Sequence, residues 1–314
     1  MSSSVTVRVI QPGFLSTVQD LGRTGYQAFG VPESGAMDKE AAMIANMLTG
    51  NHENSPVIEV TVMGLELEFS DSVQIAITGG NLRPVIDGRP AEMYQTITIN
   101  AYSRLSFTGV QSGARAYIGF AGHLLIDPVM GSCSTYLRGN FGGYQGRKLQ
   151  KDDVLQIKTK HVQEKQVSCR IIPDYQRSEC RVLLFREQEA FSGKGISSFL
   201  AGEYEISNQS DRMGFRLEGP AIAHRKGPDI ISAAISFGAI QIPGHGQPII
   251  MMADRQTVGG YTQIGCVISV DLPLLAQSLP GKKISFKEVS LREAQELYRQ
   301  RYQSVRNAIT KLHS

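Results

Sequence analysis

The 314-residue chain contains no tryptophan, only four cysteines and no apolar run near the roughly 18 residues that a membrane span needs. Its first residues lack the charged and apolar regions of a signal peptide. We therefore expect a cytoplasmic protein that does not enter the membrane. The cysteines have neither C-x-x-C nor metal-ligand spacing, so we expect buried, reduced thiols and no metal site; they are Cys133, Cys169, Cys180 and Cys266.

The chain also lacks a strong excess of charge of either sign. Its 32 Lys and Arg residues against 29 Asp and Glu residues give a formal net charge of +3. Residues 290–314 carry that whole excess, which leaves the rest of the chain neutral. A neutral body offers no broad basic face for a phosphate backbone, so we do not expect a nucleic-acid partner.

Several common catalytic motifs are missing as well. The sequence contains no G-x-x-x-x-G-K-[ST] phosphate loop, no G-x-G-x-x-G after a predicted strand and no H-E-x-x-H. The segment 131–135 lacks the glycine that a nucleophile elbow requires after its serine. These absences exclude the standard nucleotide-binding, zinc-protease and serine-hydrolase interpretations.

Short alternating segments and frequent glycine (32 residues) predict a mainly β protein with few helices. One helix is predicted at residues 38–48, and another follows a capping box formed by Ser290 and Glu293. The apolar stripe of this C-terminal helix indicates docking either onto the chain's own barrel or onto a partner. The predicted strands are residues 5–10, 65–69, 73–78, 96–99, 115–120, 182–185 and 249–253.

The length is about twice that of a typical domain, which favours two domains. A charged turn followed by an alternating strand occurs at 151–157 and again at 281–287, and the polar stretch 159–178 is typical of a linker. We therefore expect a first β-barrel domain at 1–165, a second at 166–289 and a C-terminal helix at 290–314.

Polar, glycine-containing segments interrupt the apolar pattern at residues 17–23 with 30–38, at 78–81, at 208–220 and at 253–261. Gly79 and Gly80 end a predicted strand, where paired glycines either make a tight turn or let a ligand approach the backbone N–H groups. Asp254 and Arg255 follow another apolar strand, where they form either a pocket or a structural salt bridge. If the strand continued through them, their side chains would point to opposite faces.

The same segments resemble the KipA family, whose members are also described as the C subunit of 5-oxoprolinase, allophanate hydrolase subunit 2 or the carboxyltransferase A/B domain. The resemblance extends from about residue 7 to residue 289. The residues that carry it are Pro12-Gly13, Asp20-Leu21-Gly22-Arg23, Ser34-Gly35-Ala36-Met37-Asp38, Ser112-Gly113-Ala114-Arg115-Ala116-Tyr117, Gln209-Ser210-Asp211-Arg212-Met213-Gly214, Glu218-Gly219, Ala253-Asp254-Arg255-Gln256-Thr257, Gly260-Tyr261, Asp271-Leu272-Pro273-Leu274-Leu275-Ala276-Gln277 and Pro280-Gly281.

The resemblance implies two cyclophilin-like β-barrel domains. It also implies assembly with a KipI-like protein and a LamB/YcsF-like protein, as the other two subunits, into an ATP-dependent enzyme that opens 5-oxo-L-proline, a small-molecule substrate, to L-glutamate. ATP would act through the assembled complex, because this chain has no nucleotide motif. Two alternatives remain open. In the first, the chain is part of a biotin-dependent carboxyltransferase that resembles urea amidolyase. In the second, it is a non-catalytic antagonist of a KipI-type histidine-kinase inhibitor.

Opening a lactam requires donors for a developing oxyanion, a cation for the phosphoryl group and a base for water. We expect Arg255 and Arg212 to supply charge and either Asp254 or Asp211 to act as the base. The alternative is that both Asp-Arg pairs only stabilise turns. The predicted substrate-binding residues are Gly79, Gly80, Asn81, Gln256, Thr257, Gly259, Gly260 and Tyr261.

This chain departs from the family pattern at two places. Relatives usually have Pro-Lys where this chain has Thr262-Gln263, and many have arginine where it has Cys133. A pocket lysine is therefore replaced by an amide, which leaves the choice between 5-oxoproline and a urea-like amide open.

Overall fold

The computed structural model describes residues 4–159, 168–169, 171, 173–185 and 189–310, apart from the side chains of residues 309 and 310. The chain divides into two compact units. Unit 1 comprises Met1–Arg23, Ser34–Tyr175 and Gln303–Ser314, and unit 2 comprises Thr24–Glu33 and Gln176–Tyr302. The domain boundary predicted between residues 165 and 166 lies outside the described residues and stays a prediction.

Unit 1 is built from two antiparallel sheets and one helix. Its elements are β1 (Ser4–Pro12), β2 (Leu15–Gln19), α1 (Lys39–Leu48), β3 (Val57–Thr61), β4 (Leu65–Phe69), β5 (Val73–Asn81), β6 (Pro84–Ile86), β7 (Arg89–Pro90), β8 (Thr96–Ile99), β9 (Arg104–Phe107), β10 (Ser112–Phe120), β11 (Gly122–Leu124) and β12 (Val154–Thr159). One sheet has the order β11-β12-β1-β4-β9-β6-β7, and the other has the order β2-β3-β10-β5-β8.

Strand β1 shows how the alternating pattern forms the core of unit 1. Val5, Val7 and Val9 are fully buried, and the residues between them are partly or fully exposed. Because successive side chains of a strand point to opposite faces, this period-2 pattern gives β1 one core face. The core that these valines join contains side chains from both sheets of unit 1.

Helix α1 begins where the sequence predicts, because Asp38 accepts a hydrogen bond from the backbone N–H of Ala41 at 2.9 Å. The helix lies close to β10. An ideal Cβ placed on Gly119 would be 2.7 Å from the carbonyl oxygen of Ala45, so only glycine permits this approach. The helix buries the predicted stripe, which consists of Ala41, Ile44, Ala45 and Leu48.

A buried network of carboxylates and tyrosines lies beneath α1. Tyr175 donates to Asp38 at 2.9 Å, and Tyr117 donates to Glu59 at 2.9 Å. Tyr94 lies 3.3 Å from Tyr175, measured between the hydroxyl oxygens. Burial raises the pKa of all three tyrosines, so they stay protonated and able to donate. The family segments 34–38 and 112–117 thus contribute to the interior of unit 1.

A second buried network explains the segment 17–23. Asp20 accepts from the Ser132 hydroxyl at 2.7 Å and from the Cys133 backbone N–H at 2.6 Å. Arg23, which is 1% exposed, donates to the carbonyl oxygen of Ser134 at 2.7 Å. Burial raises the pKa of the Cys133 thiol to about 11, so the thiol is protonated at neutral pH. The loop around Cys133 is therefore held by charged residues that are distant in sequence.

Unit 2 contains a closed seven-stranded barrel. Its elements are β13 (Glu179–Leu184), α2 (Gly193–Ala201), β14 (Glu203–Ile206), β15 (Gly214–Glu218), β16 (Asp229–Ala234), β17 (Ala239–Gln241), β18 (Ile249–Met251), β19 (Val258–Tyr261), β20 (Gln263–Val267), α3 (Leu272–Ala276) and β21 (Lys283–Glu288). The last helix, α4 (Leu291–Thr310), belongs to unit 2 up to Tyr302 and to unit 1 from Gln303. The barrel order is β13-β20-β17-β18-β15-β14-β21, closed by the parallel pair β13 and β21. Strands β16 and β19 form a separate two-stranded ribbon.

Asp271 fixes the start of β13 in this barrel. It is fully buried and accepts from Arg181 through the backbone N–H, Nε and Nη2 at 2.7–2.9 Å, and also from Arg177. Burial opposes ionisation, but the hydrogen bonds from these arginines lower the pKa of Asp271 below its ordinary value. The family segment 271–277 is therefore part of the scaffold.

Helix α4 begins at the predicted cap, where the Ser290 hydroxyl accepts from the Glu293 backbone N–H at 3.2 Å. Within unit 2, Ala294 packs with Ile268 and Val289. Within unit 1, Val305 is buried in a cluster that contains residues of α1. These contacts favour docking onto the chain itself over partner binding for this part of the helix.

The predicted mainly β fold with few helices and a C-terminal helix is confirmed. None of the helices within the described residues is both long and apolar enough to cross a membrane. The four cysteines are free thiols; Cys169 and Cys180 are buried, whereas Cys133 and Cys266 are partly exposed, so burial is confirmed for two of them.

Replacing Gly119 should test the close approach of α1 to β10. Gly119→Ala should lower the free energy of unfolding by about 1–3 kcal/mol, because its methyl group would meet the Ala45 backbone. Gly109→Ala is the control, since no heavy atom lies within 4 Å of its added Cβ. Urea unfolding of the full chain measures both variants. Equal stability of the two would contradict the packing described here.

Candidate functional site

The structure divides the residues predicted for the site between the two units. Gly79, Gly80 and Asn81 lie in unit 1, at the end of β5. Unit 2 contains the other nine, which are Asp211, Arg212, Asp254, Arg255, Gln256, Thr257, Gly259, Gly260 and Tyr261. The geometry of each group is therefore described within its own unit.

In unit 1, Gly79 has a φ of 85° and its backbone groups are already bonded. Its N–H donates to the Tyr94 hydroxyl at 3.0 Å, and its carbonyl oxygen accepts from the same hydroxyl at 3.1 Å. Asn81 accepts the backbone N–H of Arg83 through its side-chain oxygen at 2.9 Å. Gly80, between them, is buried. These contacts favour a structural explanation of the Gly79 conformation, since its N–H already has an acceptor.

Asp254 and Arg212 form a buried, two-point ion pair in unit 2. Arg212 Nε donates to Asp254 Oδ2 at 2.9 Å and Nη2 donates to Oδ1 at 3.1 Å. The backbone N–H of Asp254 also donates to the Arg212 carbonyl oxygen at 2.8 Å. Strand β18 ends at Met251, two residues before the predicted end, so Asp254 lies in the turn that follows. Such a two-point pair fixes both side chains and the turn that carries them.

Asp211 is exposed and shapes the preceding loop. Its Oδ1 accepts the backbone N–H groups of Met213 and Gly214 at 2.8 and 3.2 Å. A short acidic side chain that accepts from the backbone two residues ahead is a common turn former. The two members of the Asp211-Arg212 segment thus make separate contacts in the same loop.

Arg255 is 7% exposed, and two of its three nitrogens donate hydrogen bonds inside unit 2. Its Nε donates to the Ile235 carbonyl oxygen at 3.0 Å, and its Nη2 donates to Glu33 Oε2 at 2.7 Å. Its guanidinium carbon lies 5.7 Å from the centre of the Phe237 ring. The remaining nitrogen, Nη1, is buried and has no hydrogen-bond partner among the described residues.

Glu33 was not predicted as a site residue. It belongs to the segment 24–33, which packs with unit 2, and its other oxygen accepts from Gln27 Nε2 at 3.1 Å. Glu33 and Arg255 are 222 residues apart in sequence. The only sequence signal was the position of Glu33 directly before the family segment 34–38, and periodicity could not have paired it with Arg255.

Gly259 packs directly against a second buried donor. An ideal Cβ at Gly259 would lie 2.8 Å from the side-chain nitrogens of both Gln241 and Gln256, and 2.7 Å from Ile235 Cδ1. Gln241 is 2% exposed, and its Nε2 has no partner in the described part of the chain. Sequence reasoning missed Gln241, although a single polar residue within the apolar run 239–242 was an available signal.

The rest of the predicted segment lies at the exposed β16–β19 ribbon. The Thr257 carbonyl oxygen accepts from the Ile235 N–H at 3.0 Å. A Cβ added at Gly260 would lie 3.4 Å from the carbonyl oxygen of Ile230, which is its nearest neighbour. Tyr261 is 42% exposed. These three residues therefore border the buried donors and reach the surface of unit 2.

Thr262 and Gln263, where we expect a departure from the family pattern, are also bonded inside unit 2. Thr262 is fully buried, with its hydroxyl 3.1 Å from His224 Nε2. Gln263 lies opposite Gln241 in the barrel and donates to the Ala234 carbonyl oxygen at 3.2 Å. Gln263 thus places a bonded amide beside Gln241.

Arg255, which is paired with Glu33, contributes positive charge to this region. Burial raises the pKa of the nearby Cys266 thiol, while the charge of Arg255 partly opposes that rise. No three His, Cys, Asp or Glu side chains of the described residues are grouped to hold a metal ion. A guanidinium N–H and a carboxamide N–H, both buried, suit a ligand that supplies oxygen acceptors and negative charge.

Comparisons with known proteins agree with the fold. The carboxyltransferase domain, subdomain A and B, matches residues 29–288. The chain is 38% identical to the C subunit of 5-oxoprolinase from Haemophilus influenzae, covering 90% of this chain and 91% of that protein. It is 35% identical to the C subunit of 5-oxoprolinase from Escherichia coli, covering 92% and 93%.

Among solved structures, the urea amidolyase of K. lactis aligns with a TM-score of 0.88 and 29% identity. The alignment covers 96% of this chain but 20% of that one, so this chain is similar to one part of the larger protein. The sequence and structural matches together show that the chain belongs to the carboxyltransferase domain, subdomain A and B, family.

Proposed function

We propose that this chain is the C subunit of an ATP-dependent 5-oxoprolinase that opens 5-oxo-L-proline to L-glutamate. Its partners would be a KipI-like protein and a LamB/YcsF-like protein. The observation that carries the proposal is the end-to-end match to two proteins named as this subunit of 5-oxoprolinase, over at least 90% of both chains in each case. The larger urea amidolyase matches over 20% of its length.

The reaction must overcome the resonance of a lactam amide. ATP supplies the phosphoryl group that turns the amide oxygen into a leaving group, and water then adds at the carbonyl carbon. We place nucleotide binding in the assembled complex, because the sequence of this chain has no recognised phosphate loop. The task left to this chain is to bind and orient a negatively charged small molecule.

We assign to Arg255 the task of binding the negative charge of the small molecule. Its position is fixed by Glu33 and by the Ile235 carbonyl oxygen, which leaves Nη1 for a ligand. A hydrogen-bond donor stabilises charge most effectively when it is already held in position and does not have to reorganise. Gln256, Thr257 and the exposed ribbon residues would border the same ligand.

The Asp254–Arg212 pair has a different part in this proposal. Both oxygens of Asp254 accept hydrogen bonds from Arg212, so we assign the pair to positioning the turn before Arg255. Asp211 is exposed, and we keep it as the candidate base for water.

A biotin-dependent carboxyltransferase is the second candidate, favoured by the family description and by the K. lactis structure. It would require a biotin carboxylase and a biotinylated carrier. The third candidate, an antagonist of a KipI-type inhibitor, requires binding of that inhibitor without turnover.

We expect the purified chain alone to show neither ATP hydrolysis above background nor glutamate release. The chain co-expressed with the KipI-like and LamB/YcsF-like proteins should form a stable complex that releases glutamate from 5-oxo-L-proline only with ATP. Light scattering coupled to size exclusion, followed by a glutamate assay, measures both properties. Turnover by the chain alone would contradict the multi-subunit proposal, and turnover of urea with a carboxybiotin donor would favour the second candidate.

Replacing Arg255 by lysine should separate charge from hydrogen bonding in the complex. Arg255→Lys keeps a cation beside Glu33 but cannot present the guanidinium fork, so kcat/KM per folded molecule should fall by about 10², with a smaller fall in melting temperature than in Arg212→Lys. Arg212→Lys is the matched control, because it should lower the melting temperature by breaking the two-point pair with Asp254.

The same measurements could contradict this role. If Arg255→Lys lowers the melting temperature as much as Arg212→Lys does, and turnover per folded molecule stays near that of the wild type, Arg255 acts as a structural residue.

A further inference from the structure

Two side chains of unit 2 bury a hydrogen-bond donor that the described residues do not satisfy. They are Arg255, through Nη1, and Gln241, through Nε2. Both side chains are more than nine-tenths buried, at 7% and 2% exposure. Because an unpaired buried donor opposes folding, two of them in one region indicate a ligand that completes their hydrogen bonds.

Both donors lie against Ile235. Arg255 Nε donates to the backbone carbonyl of Ile235 at 3.0 Å. The position that a Cβ of Gly259 would occupy is 2.7 Å from Ile235 Cδ1 and 2.8 Å from Gln241 Nε2. A side chain at Gly259 would collide with both atoms, so glycine lets the Gln241 amide pack against the backbone of the loop that begins at Arg255.

The protein groups around these donors are already used. Glu33 accepts from Nη2 of Arg255, and Gln263, opposite Gln241, donates to the Ala234 carbonyl oxygen. The ligand must therefore bring acceptor oxygens of its own. A carboxylate supplies two coplanar acceptors and a permanent negative charge, which suits a guanidinium N–H together with an amide N–H.

We propose that Arg255 and Gln241 form a binding site for the carboxylate of the substrate, and that this site selects carboxylate-bearing lactams over urea. The identification of the lactam rests on the proposed function. Under this assignment Arg255 holds charge that is present in the ground state, rather than the oxyanion that develops during ring opening. Gln241 then becomes a specificity-determining residue that the sequence did not indicate.

The test is a binding titration of the full chain, followed by NMR or calorimetry, with three probes. 5-Oxo-L-proline carries the ring and the carboxylate, 2-pyrrolidinone carries the ring alone, and acetate carries the carboxylate alone. We expect 5-oxo-L-proline to bind more tightly than acetate, and 2-pyrrolidinone to bind at least tenfold more weakly than 5-oxo-L-proline, since a hydrogen bond to a charged group contributes about 1.5–3 kcal/mol.

Gln241→Met removes the buried donor with little change in volume. It should weaken 5-oxo-L-proline binding by about tenfold or more, leave 2-pyrrolidinone binding unchanged and not lower the melting temperature. Gln247→Met is the matched control, because Gln247 makes two hydrogen bonds with the Gly219 backbone. This control should lower the melting temperature and leave carboxylate binding unchanged.

Binding by the isolated chain does not depend on turnover, so it separates this inference from the proposed function. Carboxylate-dependent binding that is lost in Gln241→Met supports the inference even if the complex fails to open 5-oxo-L-proline. Equal binding of 5-oxo-L-proline and 2-pyrrolidinone, no binding of 5-oxo-L-proline at millimolar concentrations, or unchanged affinity in Gln241→Met would each overturn it.

Discussion

A guanidinium group that leaves water must find acceptors for its N–H groups, and this requirement organises the candidate site of unit 2. Arg255 meets part of it through Nε and Nη2, which donate to the Ile235 carbonyl oxygen and the Glu33 carboxylate. Glu33 comes from the segment 24–33, which belongs to unit 2, although the residues directly before and after this segment belong to unit 1. The position of the loop that carries Arg255, its pairing with Glu33 and the direction of Nη1 are all consequences of burying this one charge.

The Asp254–Arg212 pair and Gly259 provide the rigid surroundings that such a site needs. The ion pair fixes the turn after β18, and Gly259, which has no side chain, lets the Gln241 amide pack closely against the backbone. Catalytic and binding groups work best when their own positions are held by packing and by a second layer of hydrogen bonds. The chain thus uses one Asp-Arg pair for rigidity and leaves the adjacent arginine for a ligand.

Much of the fold could be predicted from local pattern. The predicted strands at 65–69 and 96–99 coincide with β4 and β8, the helix predicted at 38–48 is found at Lys39–Leu48, and Ser290 caps its helix as expected. Alternation and capping depend on neighbouring residues, so they are visible in sequence. Gln241 was visible as the one polar residue of the apolar run 239–242, whereas the pairing of Glu33 with Arg255 depends on tertiary contacts and could not be predicted. The bonded N–H of Gly79 was hidden for the same reason, because its acceptor is Tyr94.

The Gln263 amide fits the same account, because it is bonded to Ala234 and adds no charge beside Gln241. A crystal structure of the chain with 5-oxo-L-proline tests this account most directly. We predict carboxylate oxygens within about 2.7–3.2 Å of Arg255 Nη1 and Gln241 Nε2. A bound lactam whose carboxylate lies away from both nitrogens would contradict it.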